Sequence, residues 1–183
     1  MTKKKEKIIH ILEKTGVLQF GDFTLASGAK SKYYIDLRIL PNFPKEFNQL
    51  VEIAIDYIQR EIGGLEGVVG IPLAAIPFAT LIAHKLQKPY YILRKKPKKH
   101  GLQKLLEGEI EEGQKILLVD DLISSGFSKI EAIKALREEG ATVEDLFVFI
   151  DRTPEGVKSF EKEQNVTVHY LINAKDILAR VKD

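Results

Sequence analysis

Two stretches of this sequence concentrate side chains that could do chemistry. The first covers residues 116–128, ILLVDDLISSGFS. An apolar run, Ile116 to Val119, ends in two adjacent acids, Asp120 and Asp121. Leu122, Ile123, Ser124, Ser125, Gly126, Phe127 and Ser128 then lead into Ile130, Ile133 and Leu136, which recur at helical spacing and read as one apolar face. Small hydroxyl residues and glycine let backbone N–H groups converge on one ligand. The helix N-terminus adds partial positive charge at the same point, and serine hydroxyls add donors. Such a loop suits a compact dianion, for example a phosphate monoester. A plainer reading also stands, in which Ser124 caps a helix and two acids end a strand. The acid pair weighs against it. Beside a phosphate the acids would repel; they make sense facing hydroxyl groups, as on a ribose, or a magnesium ion. The stretch is neither the GxxxxGK(S/T) loop of nucleotide triphosphatases nor the GxGxxG turn of dinucleotide binders.

The second stretch is RKKPKKHG, residues 94–101, with Arg94, Lys95, Lys96, Lys98, Lys99 and His100. Pro97 and Gly101 exclude a helix, so this is a loop. Such charge density repels itself unless a polyanion arrives. A solvated charge run, or a nonspecific nucleic-acid patch, is the alternative, although no aromatic residue interleaves the cations for base stacking.

VDDLISSGFS resembles the phosphoribosyl pyrophosphate (PRPP) motif of the type I phosphoribosyltransferases. The resemblance implies that Asp120 and Asp121 contact the ribose hydroxyls and that residues 123–128 hold the 5′-phosphate. Ser125 and Phe127 stand where the motif usually has Thr or Gly, so Phe127 is expected to point away from the phosphate. Arg94, Lys95, Lys98, His100 and Gly101 match the loop typical of the orotate phosphoribosyltransferases within that group. The match implies a lid over pyrophosphate, catalytic roles for Lys98 and His100, and a homodimer that shares the loop across its interface. Lys99 stands where those proteins often have an acid. Residues 23–38, FTLASGAKSKYYIDLR, are similar to the hood that covers the base. Arg152 matches an arginine that binds the orotate carboxylate, a planar group suited to its fork, and Ser124 stands where a Thr contacts the base. Taken alone, Asp151 and Arg152 are an ordinary pair at a strand end. Ala26, Leu73 and Ala74 depart from the family pattern; the backbone of residues 73–75 and the charge of Lys30 are the expected substitutes. The resemblance implies transfer of phosphoribosyl from PRPP to orotate in pyrimidine (UMP) biosynthesis, with Mg2+ held mainly by PRPP and no metal site of the protein's own. The alternatives are a purine or uracil phosphoribosyltransferase, or a non-catalytic PRPP-binding regulator. His10, His84, His100 and His169 are too scattered for a zinc site. Asp36 and Arg38 read as hood structure rather than catalysis.

The elements that must position these residues follow from periodicity. Ile8, Ile9, Ile11 and Leu12 make a helical stripe over residues 3–14, which Gly16 ends. Residues 22–38 read as two antiparallel strands about a Ser27–Gly28 turn. Pro41 and Pro44 break the chain before a helix at 45–61. Thereafter apolar runs at 67–71, 90–94, 115–121, 145–151 and 166–172 alternate with helices at 77–87, 127–139, 155–163 and 174–181. This is the pattern of an α/β protein with a parallel sheet covered on both faces. The expectation is a type I phosphoribosyltransferase-like fold: a five-stranded parallel core sheet flanked by helices, with a small N-terminal hood. It forms one domain over 1–183, the hood taking about 1–44 plus a C-terminal part and the core about 45–172. Ligands in such sheets bind beyond the carboxyl ends of the strands, here residues 70–75, 94–101, 120–128 and 151–156.

Composition agrees. The chain has 183 residues, 44% hydrophobic and 30% charged, with net charge +2 and no Cys. Disulfides and thiolate chemistry are excluded. Charge this balanced does not suit a general nucleic-acid binder. The N-terminal lysines precede no long apolar core, so no signal peptide is expected, and no run suits a transmembrane helix. The expected location is the cytoplasm, with no membrane or nucleic-acid partner. At this length no decarboxylase domain is expected.

Overall fold

Parallel strands need long crossovers, and this chain supplies them as helices. The computed structural model describes residues 2–24, 30–95 and 105–180. In chain order the elements are α1 (Lys3–Lys14), β1 (Leu18–Thr24), β2 (Lys30–Ile35), a 3-10 helix (Leu37–Asn42), α2 (Pro44–Glu61), β3 (Gly67–Gly70), α3 (Ile76–Leu86), β4 (Tyr90–Leu93) and β5 (Leu106–Glu107). There follow β6 (Lys115–Ile123), α4 (Phe127–Glu138), β7 (Thr142–Asp151), α5 (Lys158–Gln164), β8 (Thr167–Asn173) and α6 (Ala174–Arg180). The main sheet has the order β5-β4-β3-β6-β7-β8. The five expected strands run parallel. A sixth, β5, adds to β4 antiparallel; two residues carry no period that a sequence reading could detect. Its effect is local and useful. Arg94 N–H donates to the Leu105 carbonyl at 2.7 Å, so the chain on either side of residues 96–104 is pinned together.

Alternation along the central strands splits the core between two faces. Leu117, Val119, Phe147 and Phe149 pack with α2 and α3, where the Phe78 and Phe149 rings lie 4.6 Å apart. Ile116, Leu118, Leu146 and Val148 pack against Ala132, Ile133 and Leu136 of α4. Each fully buried side chain of this kind stabilises the fold by roughly 1.5–3 kcal/mol. The apolar core that holds α1 and the hood strand β2 is continuous with the first face. Lys5 Nζ bonds both carboxylate oxygens of Asp176, at 2.8 and 2.9 Å, tying α1 to α6.

Several boundaries differ from the sequence expectation; β1 begins at Leu18 and β7 at Thr142, both earlier than expected. β6 extends to Ile123, because residues 120–123 keep pairing with β7 through Asp120↔Val148, Leu122↔Ile150 and Ile123↔Asp151. The acid pair thus lies inside a strand rather than at its end. Pro41 sits within the 3-10 helix instead of breaking the chain, because the Asp36 side chain accepts the Arg38 N–H and caps that turn. Pro44 opens α2 as its first residue, where a missing N–H costs nothing. The helix expected at 155–163 is the shorter α5.

Candidate active site

The carboxyl ends of β3 and β6 open on a cavity of about 390 Å³. Asp120, Asp121, Leu122 and Ser128 line one side, and residues 71–74 of the β3–α3 loop line another. Lys95 lies at the rim, and Asp36 and Arg38 of the hood face the acids. The β3–α3 loop approaches closely because β3 ends in Gly70. A Cβ there would meet the Ala79 Cβ at 2.7 Å and the Ala75 carbonyl at 3.0 Å. The Pro72–Leu73 peptide is cis.

The phosphate-loop residues fall as follows. Ile123 is fully buried, and its carbonyl accepts the Arg152 N–H at 2.8 Å. Ser124 and Ser125 are exposed at the bend before α4. Gly126 is the N-cap of α4, with φ 76° and no side-chain cap bond, so Ser124 is not the cap of that helix. Phe127 is 68% exposed and turned to solvent.

Of the basic stretch, Lys95 reaches this cavity, and Arg94 lines an adjoining one of about 580 Å³ that shares Ile71, Pro72, Lys95 and Ser128. Arg94 Nε also donates to Glu107 Oε1 at 2.5 Å. Lys96, Lys98, Lys99, His100 and Gly101 lie outside the described residues, as do Ala26, Ser27 and Gly28. Arg152 and Ser124 do not line the 390 Å³ cavity. Arg152 sits just past β7 with its guanidinium 5.3 Å from the centre of the Tyr33 ring, in contact with the hood. Asp151 shapes that turn, accepting from Thr153 N–H at 2.8 Å and from Thr153 Oγ1 at 2.6 Å.

Two features escaped the sequence reading. Asp36 and Arg38 form part of the cavity wall. Arg38 grips Asp36 through Nε at 2.7 Å and Nη2 at 2.8 Å. That fork holds the Asp36 carboxyl below its usual range. The second is Lys129. The buried face of α4 runs through Lys129, Ala132, Ile133 and Leu136, not through Ile130, which is partly exposed. Counting back from Ile133 and Leu136 at helical spacing reaches Lys129 as well as Ile130, so the signal was present as a cation on an apolar stripe. Lys129 Nζ bonds Asp120 Oδ2 at 2.5 Å, and both residues are buried.

The acid pair is electrostatically asymmetric. Burial pushes Asp121 up to about 7, with the neighbouring Asp120 charge adding to it; the Leu122 N–H and the Lys129 charge pull the other way. Asp120 meanwhile has Lys129 as a direct counter-ion. Asp120 Oδ1 accepts the Asp121 N–H at 2.8 Å, which fixes its plane. The site therefore offers two carboxyl groups, a helix start and flanking cations around one open volume. It can take a ligand with hydroxyls in the middle and anionic groups at its ends.

Comparison with known proteins agrees with that chemistry. Residues 40–169 match the family model for the phosphoribosyl transferase domain. Over 174 residues the chain is 38% identical to an orotate phosphoribosyltransferase of Methanocaldococcus jannaschii, covering 95% of this chain and 97% of that one. The chain belongs to the orotate phosphoribosyltransferase family. Solved relatives share its type I phosphoribosyltransferase fold. Orotate phosphoribosyltransferase from Aeropyrum pernix has a TM-score of 0.84 at 28% identity, covering 96% of this chain and 98% of that one. Leishmania donovani UMP synthase has a TM-score of 0.82 at 29% identity, covering 97% of this chain but 38% of the longer protein. In this member of the orotate phosphoribosyltransferase family the acid pair lies on β6, the strand that precedes the phosphate loop. Among the described residues no helix is long and apolar enough to cross a membrane.

Proposed function

We propose that this chain transfers the phosphoribosyl group of PRPP to orotate, giving orotidine 5′-monophosphate and pyrophosphate in pyrimidine biosynthesis. The observation that carries the reading is the shared cavity of Asp120, Asp121, Ser128 and Lys95. In it, the ribose hydroxyls donate to Asp120 and Asp121. The backbone N–H groups and hydroxyls of residues 123–128 take the 5′-phosphate at the start of α4. Arg94, Lys95, Lys98 and His100 gather on the pyrophosphate. Arg152 binds the orotate carboxylate with its fork, and Ser124 touches the base.

The bond from ribose C1 to the pyrophosphate oxygen breaks, and the pyrophosphate leaves with the electron pair. A ring nitrogen of orotate bonds to C1 and releases its N–H proton to solvent as the bond forms. The charge of orotate sits on its carboxylate beside that nitrogen; cations on the leaving group and fixed positioning lower the barrier. Magnesium would come with the donor, held mainly by the donor's own oxygens, and would supply positive charge beside the pyrophosphate, with Asp120 and Asp121 as the carboxylates lining the same cavity. Asp120 already has Lys129 as its counter-ion, and carboxylate oxygens are neighbours that a hard cation tolerates. The working unit in this reading is a homodimer sharing the loop at 94–101, in the cytoplasm.

The test is pyrophosphate release from PRPP with a panel of orotate, uracil, adenine and hypoxanthine. Orotate is expected to support release far above the others. Preference for another base makes the chain a purine or uracil transferase. No release with any base makes it a PRPP-binding regulator.

A further inference from the structure

Lys129 stands where elementary electrostatics disfavours a cation. It lies in the first turn of α4, its N–H bonded to the Gly126 carbonyl at 2.9 Å. A helix start already carries partial positive charge. The residue is also 6% exposed, on a stripe otherwise made of Ala132, Ile133 and Leu136. Taking an ammonium out of water is costly, and pairing it with a buried carboxylate rarely yields net stability over an apolar pair. A methionine would fill the same stripe without either cost. The contacts of Lys129 suggest what offsets them. Its Nζ lies 2.5 Å from Asp120 Oδ2 and 3.3 Å from Ser128 Oγ, on the wall of the 390 Å³ cavity. It stands between the acid assigned to the ribose and the last serine of the phosphate loop.

We propose that Lys129 determines specificity for the 5-phosphate of the sugar donor, bridging Asp120 to that phosphate when the donor is bound. The inference rests on the PRPP reading of this cavity and deepens it. A phosphate dianion one sugar away from two carboxylates is repelled by them, and a helix start supplies only about half a charge against it. Lys129 is placed to supply the remainder. In the free protein it neutralises Asp120. With the donor bound, it holds acid and phosphate together, so a sugar without the 5-phosphate gains nothing from it.

Binding of ribose 5-phosphate and of inorganic pyrophosphate, measured by calorimetry, tests this with Lys129→Met and Lys129→Arg. Lys129→Met is expected to weaken ribose 5-phosphate about tenfold or more, the size of one lost charge-assisted bond. Pyrophosphate binding stays within about twofold, and Lys129→Arg recovers most of the loss. Under turnover, the KM for PRPP rises more than the KM for orotate. Unchanged ribose 5-phosphate affinity, or an equal loss for pyrophosphate, overturns the proposal. Lys129→Met leaves Asp120 buried and unpaired, so the same substitution is also made in an Asp120→Asn background. There it is still expected to weaken inorganic phosphate binding, and equal affinity of the Asp120→Asn protein with and without Lys129→Met overturns the proposal. Failure of the unaltered chain to release pyrophosphate from PRPP with any base would instead overturn the donor reading, while a phosphate affinity that depends on Lys129 would stand apart from it.

Discussion

A carboxyl group that keeps its proton near neutrality gives the cavity a pH dependence of its own. Asp121 is pushed from 3.8 to about 7, chiefly by burial. The folded chain therefore binds that proton more tightly than the unfolded chain, and the stability tied to it falls as pH rises from about 4 to about 7. Asp121→Asn removes the buried charge. Its Tm is expected to exceed that of the parent by more at pH 8 than at pH 5, while kcat/KM for PRPP falls at least about tenfold. Equal Tm differences at the two pH values would show that Asp121 is not the titrating group. Arg152 works at the other end of the reaction. With its guanidinium over Tyr33 and its N–H on the Ile123 carbonyl, Arg152→Ala is expected to raise the KM for orotate much more than that for PRPP. Arg152→Lys keeps the charge but loses the fork and restores only part of it. Steady-state kinetics with each substrate varied in turn separates these cases, and equal effects on both KM values would remove Arg152 from the base site.

Among the elements, the β6–α4 connection is the one whose backbone the site depends on. Gly126 has φ 76°, and a Cβ there would meet the Phe160 ring at 2.6 Å. Gly126→Ala combines left-handed strain with a clash, so a destabilisation of about 1–3 kcal/mol is expected. The loop at 123–128 shifts with it, and the KM for PRPP rises. Thermal melts and KM measurements check the two parts; a variant with unchanged Tm and KM would mean that the loop adapts freely. The strands and helices around this loop were legible because each has a clear period. The pairing of Asp120 through Ile123 with β7 was not, since a strand's last pairs depend on where its neighbour ends. β5 was illegible for a similar reason: its two residues form a strand only because β4 presents an open edge.

At the scale of the molecule, the site lies at one end of the sheet and a polar network braces the other. Lys115 Nζ bonds Asp145 at 3.2 Å and Glu144 at 3.1 Å, while His169 Nε2 lies 2.8 Å from Asp145 Oδ1 and Tyr57 Oη 3.4 Å from His169 Nδ1. Burial would raise the Asp145 carboxyl, but the bonds from His169 and Lys115 outweigh it and hold the group below its usual range. The stability tied to it is present above about pH 4 and lost as pH falls through the lowered value. Asp145→Asn is expected to cost about 1–3 kcal/mol at pH 7 and to leave both KM values unchanged. Urea titration with parallel kinetics tests this, and altered KM values would mean that the two ends of the sheet are coupled.

The sequence by itself determined the sheet, the helices that cover it and the loop that follows Asp120 and Asp121. Those features are local: a period of two or 3.6 residues, or small residues between a strand and a helix, is written in consecutive positions. Only the tertiary structure decided that Arg38 and Asp36 face the acid pair from the hood, that Arg152 meets Tyr33, and that Lys129 lies buried against Asp120. Each of those contacts joins elements that are separate along the chain. Packing chooses them, because a buried charge must find its partner wherever the fold brings one.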